Sequence, residues 1–186
     1  MPRTAVAAAL GPLILAFALM AGGAVRAGPP TPVPVVAPQA PMDTDRIMGR
    51  WYEILRMPNK IQRNCFAAYQ VWARKDDGFT VQQVCHRDSP EGRVAEVTVT
   101  AKAMNPENTM FDTSFLGGLV HQRYVLLDHA PDYSWLISTT ADGRFPKLMY
   151  RSPAMPASEQ AVLKQRLARL GFDVSRMEFC GAPTGS

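Results

Sequence analysis

Gly49-Arg50-Trp51-Tyr52-Glu53-Ile54-Leu55-Arg56 is the stretch whose reading decides the fold. It reads as a half-buried β-strand opened by a glycine. With a side-chain period of two, Trp51, Glu53 and Leu55 share one face, and Tyr52, Ile54 and Arg56 the other. Pro58 and Asn59 then signal a loop.

The chain downstream continues in short extended runs separated by turn residues. Cys65 to Arg74 leads into Lys75-Asp76-Asp77-Gly78, a hairpin turn with Gly78 at its positive-φ position. Phe79 to His86 returns, Ser89-Pro90-Glu91-Gly92 turns, and Val94 to Ala103 is mildly apolar on both faces. Met110 to Leu116 ends at Gly117-Gly118, and His121 to Asp128 ends at His129-Ala130-Pro131-Asp132. Tyr133 to Thr139 and Lys147 to Arg151 follow, divided by Asp142-Gly143. Eight strands at near-regular spacing predict an all-β fold, an eight-stranded antiparallel up-and-down barrel. The period then changes. Leu163, Leu167 and Leu170 recur at helical spacing behind Pro156, and Gly171 supplies the stop with Phe172 as its apolar partner. This predicts one C-terminal α-helix of about fifteen residues, packed on the outside of the barrel. Met177 to Cys180 should return as a short strand to the barrel edge.

Upstream, Arg3, the apolar run Ala5 to Ala21 and small residues through Ala27 read as a secretory signal peptide. Cleavage is expected after Ala24 or Ala27. The expected organisation is a signal peptide over 1–27, a Pro-rich solvated linker over 28–42 and one domain over 43–181. The formal charge of +4 falls to about +2 once Arg3 and Arg26 are removed. That balance, with no run of basic residues, argues against a nucleic-acid partner. No later stretch is long enough to span a membrane. Cys65, Cys85 and Cys180 all lie in the exported part, where one bridge and one spare thiol are expected. Across the Asp76-Asp77-Gly78 hairpin Cys85 falls about three positions from Cys65, roughly 10 Å along a strand. That spacing favours Cys65–Cys180, with Cys85 as the alternative partner if the ladder is bulged.

Three separated motifs resemble the lipocalin family: Gly49-x-Trp51, Leu127-Asp128 followed by Tyr133, and Arg151 at the end of the eighth strand. The second motif lacks the threonine of the family's Thr-Asp-Tyr form. Trp-Tyr-Glu-Ile, the Asp-Asp-Gly hairpin, Ser-Phe-Leu-Gly-Gly and Leu-Gly-Phe-Asp-Val-Ser make the chain most similar to the bacterial outer-membrane lipocalin and apolipoprotein D-like branch. The resemblance implies a lipocalin barrel whose floor is marked by Gly49, Trp51, Asp128, Tyr133 and Arg151. Trp51 and Arg151 are expected to meet there as a structural cation–π pair worth about 1–2 kcal/mol. Members of that branch are often acylated on a cysteine directly after the signal peptide. Here no cysteine precedes Cys65, so a free periplasmic or secreted protein is expected, not a lipoprotein.

The resemblance implies a carrier, monomeric or weakly dimeric, of a small hydrophobic ligand such as a fatty acid or lysophospholipid. Alternation suggests Glu53, Leu55, Val81, Phe115, Tyr124, Leu126 and Trp135 as pocket residues. An inward Glu53 needs a partner, or its pKa rises. His86, His121 and His129 are scattered without metal-ligand spacing, and neither a nucleophile elbow nor a phosphate loop is present. No cofactor, metal or catalytic residue is expected. The alternatives are an enzyme built on the same barrel and a filled barrel that acts through its outer surface.

Overall fold

The computed structural model describes residues 32, 33, 35–38 and 40–182; the expected signal peptide lies outside them. The elements run β1 (Gly49–Arg56), β2 (Cys65–Lys75), β3 (Gly78–Arg87), β4 (Val94–Ala103) and β5 (Met110–Phe115). Then come β6 (Val120–His129), β7 (Trp135–Thr140), β8 (Lys147–Tyr150), α1 (Ala157–Arg169) and β9 (Glu178–Phe179). Strands β1 to β8 pair antiparallel in sequence order, and β8 returns to β1, which closes an up-and-down barrel. Closure leaves no long unpaired edge. The β1–β2 ladder stops at Tyr52 opposite Tyr69. β9 takes over there against Leu55 and Arg56, and the Gly181 amide donates to the Phe66 carbonyl at 2.7 Å. The tail thus bridges the place where β1 and β2 part.

Alternation along the strands sorts the apolar side chains into two layers. The inner one holds Trp51, Phe79, Val81, Val99, Phe111 and Met149. The outer one joins Tyr52, Ile137 and Leu148 to Leu163 and Leu167 of α1. The helix stops as its sequence indicates. Gly171 has φ +92, its amide donates to the Ala168 carbonyl, and the Phe172 amide donates to the Leu167 carbonyl. Phe172 is buried in the same outer cluster as Leu167, as the apolar residue after such a cap is expected to be.

Three β-bulges change what alternation alone would give. The first, between Glu53 and Leu55, places Leu55 opposite Leu148 in the outer layer, so Leu55 does not line the pocket. Trp135 is also outside: it pairs with Tyr150, and the Arg166 guanidinium of α1 lies 5.2 Å from its ring. The seventh strand begins two residues later than expected, because Tyr133 sits in the preceding turn with φ +58. A second bulge lies in β6 between Leu126 and Asp128.

The third bulge, between Cys65 and Ala67, overturns the preferred disulfide. It sets Cys65 opposite Arg87 instead of one step further along, and Cys85 becomes its diagonal neighbour. The two Cα atoms lie 5.6 Å apart and the bond is Cys65–Cys85, not Cys65–Cys180. Cys180 is the free thiol, and burial first, then the nearby Glu53 carboxylate, push its pKa to about 12. Peptide mapping without reduction should recover Cys65 linked to Cys85. Cys180 should alkylate slowly in the native protein and at once in urea. A Cys65–Cys180 peptide would contradict this assignment.

Two smaller differences concern the turn and the lead-in. Asp76, with φ +47, is the left-handed residue of the β2–β3 turn; Gly78 is required for a different reason. A Cβ on Gly78 would stand 2.6 Å from the Ala101 carbonyl oxygen of β4. The lead-in touches the barrel where a solvated linker was expected. Val33 packs on the outer layer, and buried Met42 joins the inner one while its amide donates to Glu107.

Candidate functional site

One end of the barrel is sealed. The Arg151 guanidinium carbon lies 3.7 Å from the centre of the Trp51 ring. Its Nη1 donates to the carbonyls of Met48 and Arg50 at 2.9 and 3.0 Å, and its Nη2 to the carbonyl of Arg46. The indole N–H of Trp51 donates to the Ile47 carbonyl at 2.8 Å, so the segment before β1 is stitched under the floor from both sides. Gly49 enters the strand at φ +88, a conformation that a side chain would oppose. Tyr133 accepts the Asp43 amide on its hydroxyl, and its ring centre lies 4.4 Å from the Arg46 guanidinium and 4.2 Å from the His129 ring. Asp128 turns away from this group and pairs with Arg166 of α1.

Above the floor the interior is apolar, lined by Trp51, Trp72, Val99, Phe111, Leu136 and Met149. Trp72, Phe79 and Phe111 meet edge-to-face at centroid distances of 5.3 to 6.0 Å. A belt of polar groups lies in the same wall: Gln70, Gln83, Thr113, Tyr124, Ser138 and Lys147. Of the pocket residues suggested by alternation, Val81, Tyr124 and Leu126 line this space. Phe115 packs against the inner layer at the end of β5. The enclosed void is about 30 Å³. That space holds a water or two and is below the ordinary range for small-molecule sites, so a ligand must displace side chains that now fill the interior.

Glu53 stands opposite Met149 in the β1–β8 ladder and so faces the same side, 3 % exposed and not itself lining the cavity. Its Oε1 receives the Lys147 ammonium at 2.9 Å. Its Oε2 receives the Gln62 amide at 2.7 Å and the Arg56 guanidinium at 3.5 Å. Burial alone would raise the carboxyl pKa. The Lys147 charge and hydrogen bond, with Arg56 and Gln62 behind them, outweigh it and hold Glu53 below its usual value. Burial would likewise lower Lys147, but Glu53 outweighs it and the ammonium is held above its usual value. Arg56 also reaches the Cys65 carbonyl at 2.6 Å and Glu178 of β9 at 2.9 Å. Lys147 was missed in the sequence, although a signal existed. Arg151, Met149 and Lys147 alternate along one strand, so an inward Arg151 implies an inward Lys147.

The loops β1–β2, β3–β4, β5–β6 and β7–β8 lie at the opposite end, as the up-and-down topology requires. Ile61, Leu116 and Leu119 there are 89 %, 74 % and 84 % exposed. Each histidine has a local partner: His86 the Pro90 carbonyl, His121 Asp112, His129 the Ala130 carbonyl. Among the described residues no group of three or more His, Cys, Asp or Glu could hold a metal ion.

Residues 42–181 match the family model described as a lipocalin-like domain, which spans the whole barrel, α1 and β9. The chain belongs to the lipocalin-like family. No curated protein matches this lipocalin-like chain in sequence. Solved structures match it in shape. Insecticyanin from the tobacco hornworm Manduca sexta superposes with a TM-score of 0.65 at 15 % identity, over 83 % of this chain and 88 % of that one. The cockroach allergen Per a 4 gives 0.62 at 16 % identity, over 79 % and 92 %. Lobster apocrustacyanin A1 gives 0.60 at 13 %, over 76 % and 81 %. At these identities the likeness establishes the lipocalin fold and nothing about the ligand.

Proposed function

We propose that this lipocalin-like protein reversibly binds and carries a small hydrophobic ligand, a fatty acid or lysophospholipid, in the bacterial cell envelope. The observation that carries the reading is the interior itself, an apolar cup with a polar belt, shut at one end by Trp51 and Arg151. Moving a ligand's apolar surface from water into that cup yields roughly 25 cal/mol per Å². The polar belt would set its orientation. The buried carboxylate beside the cavity, Glu53, is engaged at both oxygens, which suits binding better than turnover. Placement in the outer-membrane and apolipoprotein D-like branch rests on the sequence motifs quoted above. An exported site of action is supported by the Cys65–Cys85 bridge, since such bonds persist in oxidising compartments. No helix among the described residues is long and apolar enough to cross a membrane.

A second reading rests on one observation, the enclosed void of about 30 Å³. A barrel so well filled could act through its outer surface. Titration with cis-parinaric acid, a fluorescent fatty acid, separates the two. The carrier reading expects saturable one-to-one binding that quenches tryptophan fluorescence, retained in Trp135→Phe because that ring lies outside the barrel. An absence of saturable binding would favour the filled barrel.

A further inference from the structure

We infer that the cup selects amphiphiles with a single carboxylate head, and that the Lys147 ammonium, inside the barrel wall, receives it. The inference deepens the carrier reading and rests on it. Among the described residues that line the cavity, Lys147 is the one charged side chain. It is buried, and Glu53 fixes it by one hydrogen bond at 2.9 Å. An ammonium carries three donors, so two remain for the cavity side. Glu53 is engaged at both oxygens, by Lys147 on one and by Gln62 and Arg56 on the other. A ligand in the cup therefore meets Lys147, which lines the cavity, and not Glu53, which does not.

The local charge count points the same way. Beside the cavity one fully buried carboxylate, Glu53, faces two cations, Lys147 and Arg56. The remaining acid, Glu178, is nearly half exposed and shared with water. A ligand carboxylate beside Lys147 would bring the buried count to two and two. A ligand ammonium would worsen the imbalance, and a neutral head would leave it. The neighbours suit a carboxylate too. Ser138 stands in register with Lys147 across β7–β8, and the Tyr124 ring lies 5.7 Å from its Nζ. From Lys147 the apolar wall runs down past Met149 to the Arg151 level, about 13 Å at strand spacing. A tail running down from Lys147 must displace the side chains that now fill this space, where the enclosed void is about 30 Å³. A glycerophosphate head is bulkier and would have to remain at the mouth, beyond Lys147. The inference thus chooses the fatty acid over the lysophospholipid.

The test is a tryptophan-quenching titration of the full chain with a dibrominated stearic acid and with its methyl ester. The two share a tail and differ in head charge. A charge-assisted hydrogen bond in a buried site predicts that the acid binds roughly 10- to 100-fold tighter. In the double variant Glu53→Gln/Lys147→Met, which removes one buried charge of each sign and so leaves the net charge of the cluster unchanged, the acid-to-ester ratio should fall to about one. Lys102→Met, which alters an exposed lysine paired with Asp77 on the outer surface, should keep the wild-type ratio. Equal binding of acid and ester by the wild type, or an undiminished ratio in the double variant, overturns the inference and leaves the carrier reading standing. Tighter binding of a lysophospholipid than of the acid does the same. Quenching by none of them overturns both.

Discussion

Lys147→Met alone should destabilise the protein by about 3–5 kcal/mol, read from the urea midpoint at constant slope. The reason is what it leaves behind. Glu53, 3 % exposed, would keep the Gln62 amide and a long contact to Arg56 but lose its closest cation. Adding Glu53→Gln should restore most of the loss, because a buried pair replaced together by neutral groups of similar size costs little. The pH dependence follows from the two shifts. Glu53 is depressed in the folded state, so its contribution is present above the unfolded carboxyl pKa, about 4.3, and is lost as pH falls through the lower folded value. Lys147 is raised, so its contribution is complete below the unfolded amine pKa, about 10.4, and is lost as pH rises through the higher folded value. The wild type should therefore exceed the double variant by a constant margin across neutral pH, with that margin narrowing at both extremes. A margin that does not vary with pH would show that the pair is not ionised.

Arg151→Ala should cost about 3 kcal/mol and loosen the closed end, since it removes a cation–π contact and three bonds to backbone carbonyls at once. The carbonyls of Arg46, Met48 and Arg50 would lose their shared donor. Arg151→Lys tests the geometry. An ammonium can still stand over the indole but has no planar fork to span carbonyls on both sides of Gly49, so it should recover less than half of the loss. Hydrogen exchange should locate the damage in residues 42–50 and leave α1 protected. Full rescue by lysine would mean that charge above Trp51 is all the floor requires.

The barrel and its helix were legible because each strand carries a period of two and each turn its own signal. The leucine repeat ending at Gly171-Phe172 marked α1 equally well. The floor was legible because its residues stand at fixed offsets from strand ends: Gly49 and Trp51 at one, Arg151 at the other. Pocket membership was less legible, and bulges explain much of it. A bulge adds no residue type that announces it, yet it reverses every side chain beyond it. Leu55 moved outward for that reason, and Cys65 came within reach of Cys85. Trp135 failed differently: the strand starts after Tyr133, whose positive φ belongs to a turn, so counting inward from that residue fixes nothing. Asp128 follows the β6 bulge and reaches Arg166 on the helix. Lys147 is the contrary case, because no bulge separates it from Arg151 and its direction could have been counted.

The central claim is that the closed barrel admits one ligand inside. Native mass spectrometry of the protein, purified without detergent and offered a twofold excess of stearic acid, tests it most directly. The account predicts one dominant adduct of a single fatty-acid mass, with no second addition at this excess. Bare protein alone, or a ladder of several additions falling off smoothly, would place any lipid on the surface and contradict it.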